Sequence, residues 1–83
     1  MKLASARRLA KLKAMGHRPY VVTREKQTAD AWVFLLGDPD GRSVTANLPM
    51  IVIDKEGNRA REVYLPSPEG FAIIKEEAPI PSV

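Results

Sequence analysis

The first fifteen residues repeat their hydrophobic positions with the period of a helix. Residues 2–15 lack glycine, proline and β-branched side chains, and they consist mainly of alanine, leucine, lysine and arginine, which favour helices. At 100° per residue the apolar positions form two stripes, one of Leu3, Ala6, Ala10 and Ala14 and one of Ser5, Leu9 and Leu12. The pattern predicts a helix over residues 2–15 that ends at Gly16. Because about 14 residues are marginal for an isolated helix in water, we expect the apolar arc to dock on the rest of the protein.

From residue 20 onward the spacing becomes that of β-strands. Alternating, β-branched and aromatic positions predict strands over residues 20–23, 31–36, 44–48, 50–53 and 62–65. The run Ala31–Leu36 is apolar on both faces, which is typical of a central strand covered on both sides. Turn-forming residues at 37–41 and 54–58 separate these strands and predict antiparallel pairing.

Two interpretations are open for the residues after Leu65. Ser67 followed by Pro68 can cap and begin a helix. Gly70 in the first turn, and acidic rather than basic residues at the far end, disfavour a helix. We therefore favour a last strand over residues 71–75, and the prolines that follow it indicate a tail.

The predicted elements form one domain of the α+β class. Residues 2–15 are a basic helix, residues 20–75 a β-rich body and residues 76–83 a tail. The helix is expected to pack on a small antiparallel sheet or open barrel of four to five strands, because a sheet this small needs cover for one face. The apolar content of 45% is ordinary for a globular protein, so disorder throughout the chain is not expected.

The few aromatic residues stand mostly at strand positions. Trp32 and Phe34 are interpreted as core residues rather than as platforms on which nucleobases stack. Tyr64 alternates with Val63 and Leu65, so either a buried or a water-facing position is open for it.

The chain shows no signal for a membrane or for secretion. Its longest apolar run, Ala31–Leu36, falls far short of the ~18 residues that cross a bilayer. Lysine and arginine interrupt the leucines of the N-terminal segment, unlike those of a secretory signal. The acid-free segment also resembles an organellar presequence, but we favour a cytoplasmic bacterial or phage protein. The lack of cysteine is consistent with a reducing compartment.

The residue types that catalysis and metal binding need are scarce. His17 is the only histidine, there is no thiol, and the serines stand in no recognisable nucleophile motif. One histidine without cysteine cannot supply the usual zinc ligands. The acidic segments 38–40 and 54–58 place oxygens one residue apart, as calcium loops do, but Lys55 interrupts the second one, and turn formation explains both. We therefore expect a protein that is not an enzyme and that uses no metal or cofactor.

The unusual feature is where the charge lies. Residues 1–26 carry eight basic residues and one acidic residue, a net +7, whereas residues 27–83 carry five basic and nine acidic residues, a net −4. The candidate nucleic-acid-binding residues are Arg7, Arg8, Lys11, Arg18, Arg24 and Lys26. These cations can form a phosphate-binding surface, or they can simply be the solvated face of a short helix. Because an ordinary solvated face mixes both signs, the sequence favours a small binding module for an anionic partner, most readily nucleic acid.

A second hypothesis is a protein–protein interaction module, such as a small bacterial or phage accessory or inhibitor protein. In that case an exposed strand edge or the leucine stripe of the helix contacts a protein partner or a second copy. The basic N-terminal part and the acidic body can also associate between copies, giving a homo-oligomer.

Overall fold

The computed structural model describes residues 2–57 and 59–80, and within them five β-strands pair in one antiparallel sheet. The elements in chain order are α1 (Leu3–Ala14), a 3-10 helix (Met15–His17), β1 (Val21–Gln27), β2 (Ala31–Gly37), β3 (Met50–Asp54), β4 (Ala60–Val63), α2 (Pro68–Glu76) and β5 (Ala78–Pro79). Neighbouring strands lie in the order β4-β3-β2-β1-β5, and all of the pairs are antiparallel. The predicted α+β class is confirmed, with an open sheet rather than a barrel.

The apolar strand β2 lies in the middle of the sheet, as its sequence predicts. Its residues alternate between the two faces, so that Trp32 and Phe34 point to one side and Ala31 and Val33 to the other. Both sets are buried, and Phe34 and Val33 are fully inaccessible to solvent. The prediction that Trp32 and Phe34 are core residues is therefore confirmed, whereas Tyr64 is exposed.

Helix α1 covers the face of the sheet that carries Phe34. It buries three alanines one turn apart, Ala6, Ala10 and Ala14, against Trp32, Phe34, Ile51 and Ile53. Of the two stripes seen in the sequence, the alanine stripe is thus the one that docks. Because the alanine side chain is only a methyl group, the backbone of α1 lies close to the large side chains of the sheet.

Helix α2 lies on the opposite face, where a second cluster forms. Ile73 is buried there against residues of three strands: Ala31, Val33, Met50, Val52 and Val63. Arg61 of β4 hydrogen-bonds Glu69 in the first turn of α2, and this bond is the main cause that raises the pKa of Arg61 above its usual value. The sheet is therefore covered on both faces.

The structure corrects the prediction of a strand over residues 71–75, because these residues belong to α2. Ser67 caps this helix: its Oγ accepts a hydrogen bond of 3.0 Å from the Gly70 amide, and Pro68 follows at the first helical position. Gly70, which counted against a helix in the sequence, is needed for close packing. A Cβ at this position would lie 2.8 Å from Leu65 Cδ2 and 3.1 Å from the carbonyl oxygen of Tyr64.

Two further predictions are wrong. Residues 44–48 form no strand despite their alternation, because β2 and β3 pair with each other and each already has a neighbour on its other edge. Part of the predicted tail, Ala78–Pro79, pairs with β1 as β5, while residues 81–83 lie outside the described residues.

The turn over residues 37–41 is confirmed: Gly41 has a φ of 78°, and Asp38 accepts a hydrogen bond from the Arg42 amide.

Replacing Ala10 with leucine should overpack the contact between α1 and the sheet. We expect Ala10→Leu to lower the free energy of unfolding by about 1–3 kcal/mol, because Ala10 is only 1% exposed and has no room for three more carbons. Urea denaturation followed by circular dichroism measures this change. Ala4→Leu, at an exposed position of the same helix, is the control. Equal stability of the two variants would contradict this packing.

Removing the cap of α2 should destabilise the protein less severely. Ser67→Ala deletes the side-chain acceptor for the Gly70 amide, and we expect it to cost about 1 kcal/mol in the free energy of unfolding. Ser43→Ala, in the exposed loop before β3, should leave the urea midpoint unchanged. If the two serine variants unfold at the same urea concentration, the cap is not stabilising α2.

Candidate functional site

The alanine stripe decides which cations of α1 face solvent. With Ala6, Ala10 and Ala14 turned to the sheet, Arg8 lies on the outward side of the helix. Lys11 lies on the side towards β1, where it lines a small cavity with Arg7, Val22, Glu25 and Phe34. Both Arg8 and Lys11 are exposed.

Arg7 is occupied by an ion pair with Glu25 on β1. Its Nε and Nη2 each donate a hydrogen bond of 2.8 Å to one oxygen of the Glu25 carboxylate. The hydrogen bond first, and then the charge of Glu25, raise the pKa of Arg7 above its usual value. Because the pair is bidentate, its geometry is well defined, and the charge of Arg7 is neutralised by that of Glu25. Arg7 is thus the member of the predicted set that is least available to an external anion.

A groove continues from this ion pair towards the end of the helix. It has a volume of about 390 Å³, and its lining is mainly apolar, with Ala14, Met15, Pro19, Tyr20, Val21 and Val22 between Lys11 and Arg18. Met15 and Val21 remain 53% and 41% exposed. Helix α1 therefore leaves the N-terminal half of β1 uncovered, and two predicted cations stand at the rim of the uncovered surface.

Arg24 and Lys26 lie on the other face of the sheet. The register between β1 and β2 shifts between Val22 and Arg24, so that Thr23 is an extra residue in the strand. Residues opposite each other in an antiparallel pair share a face. Val22 pairs with Leu36 on the α1 side, whereas Arg24 pairs with Leu35, which packs on the α2 side. The bulge therefore turns Arg24 away from α1 and brings Glu25 beneath Arg7.

His17 is the last residue of the 3-10 helix that follows α1, and its side chain has a partner there. Its Nε2 contacts Oε1 of Glu62 on β4. Glu62 pairs with Ile51 in the sheet, which places its side chain on the same face as α1. This contact joins the end of the helix to the β4 edge of the sheet.

The six predicted residues thus do not form one surface. Arg7, Arg8 and Lys11 come from α1, and Arg18 joins Lys11 at the groove. Arg24 and Lys26 belong to the opposite side of the sheet. Among the described residues no carboxylate lies within ion-pair distance of Arg8, Lys11 or Arg18, since the nearby acids Glu25 and Glu62 pair with Arg7 and His17. A cationic surface therefore remains on α1 and its groove.

Sequence reasoning missed the apolar part of this region. Met15 and Val21 had no assigned role, because Met15 lies at a helix end and Val21 reads as an ordinary strand residue. Their neighbourhood depends on the turn at Arg18 and Pro19 and on where α1 crosses the sheet. Neither feature leaves a periodic signal in the sequence.

In the part of the chain that the structure describes, no three acidic or histidine side chains are placed to hold a metal ion together. No helix formed by these residues is long and apolar enough to cross a membrane. Comparison with known proteins shows no match to any family model, to any curated protein or to any solved structure.

Proposed function

We propose that this chain is a non-enzymatic binding module whose partner is nucleic acid, contacted through the cationic surface of α1 and the turn that follows it. Arg8, Lys11 and Arg18 are the residues that bind phosphate in this proposal. The observation that carries it is that these three exposed cations have no carboxylate partner among the described residues, in a segment with no acid before Glu25.

The mode of contact follows from the chemistry of these side chains. Arginine and lysine at a helix surface bind phosphate oxygens by charge and by N–H donation, and they read no base sequence directly. Each phosphate contact releases a condensed counterion, so affinity falls as salt rises. The proposal is therefore of binding that depends on backbone charge rather than on sequence.

The structure narrows the residues on which this proposal depends. Arg7 is discounted because Glu25 takes both of its donor positions. Arg24 and Lys26 are discounted because their register places them on the face of α2. A rigid duplex that lies along the outward side of α1 cannot reach both faces of the sheet at once.

A protein–protein interaction module is the second candidate. It is favoured by the groove between α1 and β1, where the exposed side chain of Met15 lies near a strand, β1, that is only partly paired on its outer edge. Apolar side chains at an open edge contribute little to binding phosphate, but they suit a polypeptide partner.

Binding of a fluorescein-labelled DNA duplex, measured by anisotropy over a range of NaCl concentrations, tests the nucleic-acid proposal. Three phosphate contacts predict a slope of log affinity against log salt of about −2.7. The double variant Arg8→Gln, Lys11→Gln should reduce the slope to about −0.9, since one contact remains. Glutamine keeps the helix propensity of the replaced residues, so folding is preserved.

The matched control removes the same charge from the other side of the sheet. Arg24→Gln with Lys75→Gln also deletes two exposed cations, and it should keep the slope of the unchanged protein. Equal loss in both double variants would mean that net charge, and not the α1 surface, governs binding. An affinity that is absent or flat with salt would refute the proposal.

A further inference from the structure

We infer that the outer edge of β1, over residues 21–25, is a docking site for an extended segment of a partner protein in which acidic and apolar residues alternate. The segment would add to the sheet as a further strand. This inference goes beyond nucleic-acid binding and does not rest on it, because its main contacts (the backbone of β1, Met15 and Arg24) are not among the proposed phosphate-binding residues.

The backbone of β1 supplies the first part of the site. β1 pairs with β2 along its whole length, from Val21 to Gln27, but β5 pairs only with Lys26 and Gln27. Among the described residues no strand lies against the outer edge of residues 21–25. Amide and carbonyl groups on such an edge are a template for another strand, and their hydrogen bonds give affinity without regard to sequence.

The groove supplies the second part, on the α1 side of that edge. A strand added beside Val22 would direct every second side chain towards the groove. The half-exposed side chain of Met15 and the partly buried side chain of Val22 offer apolar contact there. The side chains that enter this side should therefore be apolar.

Arg24 supplies the third part, on the opposite side of the same edge. It is exposed, and it has no ion pair or side-chain hydrogen bond among the described residues. The bulge at Thr23 is what places it there, beside the remaining side chains of an added strand. Lys26 follows on the same face, so these side chains of the partner should be acidic.

The two faces together define the chemistry of the partner. An alternating apolar and acidic segment matches the groove on one side and Arg24 with Lys26 on the other. Lys11 and Arg18, at the rim of the groove, add attraction for a partner of net negative charge. A basic segment would meet cations on both faces and should be excluded.

Two labelled decapeptides, one alternating valine with aspartate and one alternating valine with lysine, test the inference by anisotropy on the full chain. The valine–aspartate peptide should bind, and the valine–lysine peptide should not. Two further versions of the acidic peptide carry backbone N-methyl groups on alternate residues, one on the valines and one on the aspartates. Since successive amides of a strand point to opposite edges, one version should lose binding and the other should keep it.

Protein variants separate this edge from the outward side of α1. Arg24→Gln should weaken binding of the acidic peptide about fivefold, the upper range for an exposed ion pair. Met15→Gln should also weaken it, because an apolar contact is lost from the groove. The controls are Arg8→Gln, which removes an exposed cation away from the edge, and Leu12→Gln, which replaces an apolar side chain that is 65% exposed on α1. Both controls should leave peptide affinity unchanged.

Several results would overturn the inference. Equal binding of both N-methylated peptides would exclude strand addition. If neither the valine–aspartate nor the valine–lysine peptide binds, the cations serve only to keep other strands away from the edge. Sedimentation that shows a dimer which the peptide cannot dissociate would assign the edge to a second copy. Displacement of the peptide by a DNA strand, with Arg24→Gln weakening both, would assign it to nucleic acid. Absence of DNA binding by the unchanged protein, with binding of the acidic peptide present, would refute only the nucleic-acid proposal.

Discussion

The close contact between the alanine stripe of α1 and the aromatic residues of β2 is the constraint on which the other surfaces depend. Phe34 and Trp32 occupy the middle of the sheet, and only small side chains allow a helix to lie against them. Ala6, Ala10 and Ala14 provide this at successive turns. Once this stripe faces inward, the rotation of the helix about its axis is set. Arg8 then faces water, and the flank that carries Lys11 faces β1.

The bulge in β1 has a comparable effect on the sheet. One extra residue in a strand exchanges the faces of every residue beyond it, because side chains alternate with a period of two. Here it moves Arg24 to the α2 side and places Glu25 under Arg7. Arg24 and Lys26 therefore lie on one side of the strand, whereas Lys11 and Arg18 line the groove on the other side. The result is an edge with cations on both faces, and an apolar groove on only one of them.

Ion pairing removes part of the charge that the sequence displays. Glu25 and Glu62, the acids beside α1, pair with Arg7 and His17. Such exposed pairs add little to stability, but they decide which cations stay available to a partner. The remaining charge on α1 and its groove is carried by Arg8, Lys11 and Arg18, which have no carboxylate within ion-pair distance among the described residues. The two proposed activities, nucleic-acid binding by α1 and peptide binding by the β1 edge, are therefore separable by substitution, because Arg8 belongs to one surface and Arg24 to the other.

The sequence by itself determined the class of fold, the helix near residues 2–15, the central strand at Ala31–Leu36 and the uneven charge, because each depends on local composition or on a period along the chain. It did not determine whether residues 44–48 pair, since this depends on the sheet order, in which both edges of β2 and of β3, the strands that flank these residues in the chain, are taken by other strands. At Gly70 the sequence led to a wrong prediction of a strand, because the close approach to Leu65 that requires glycine exists only once α2 has packed on the sheet. The division of six cations between two faces was likewise decided only in the tertiary structure, by the direction in which α1 docks and by a single extra residue at Thr23.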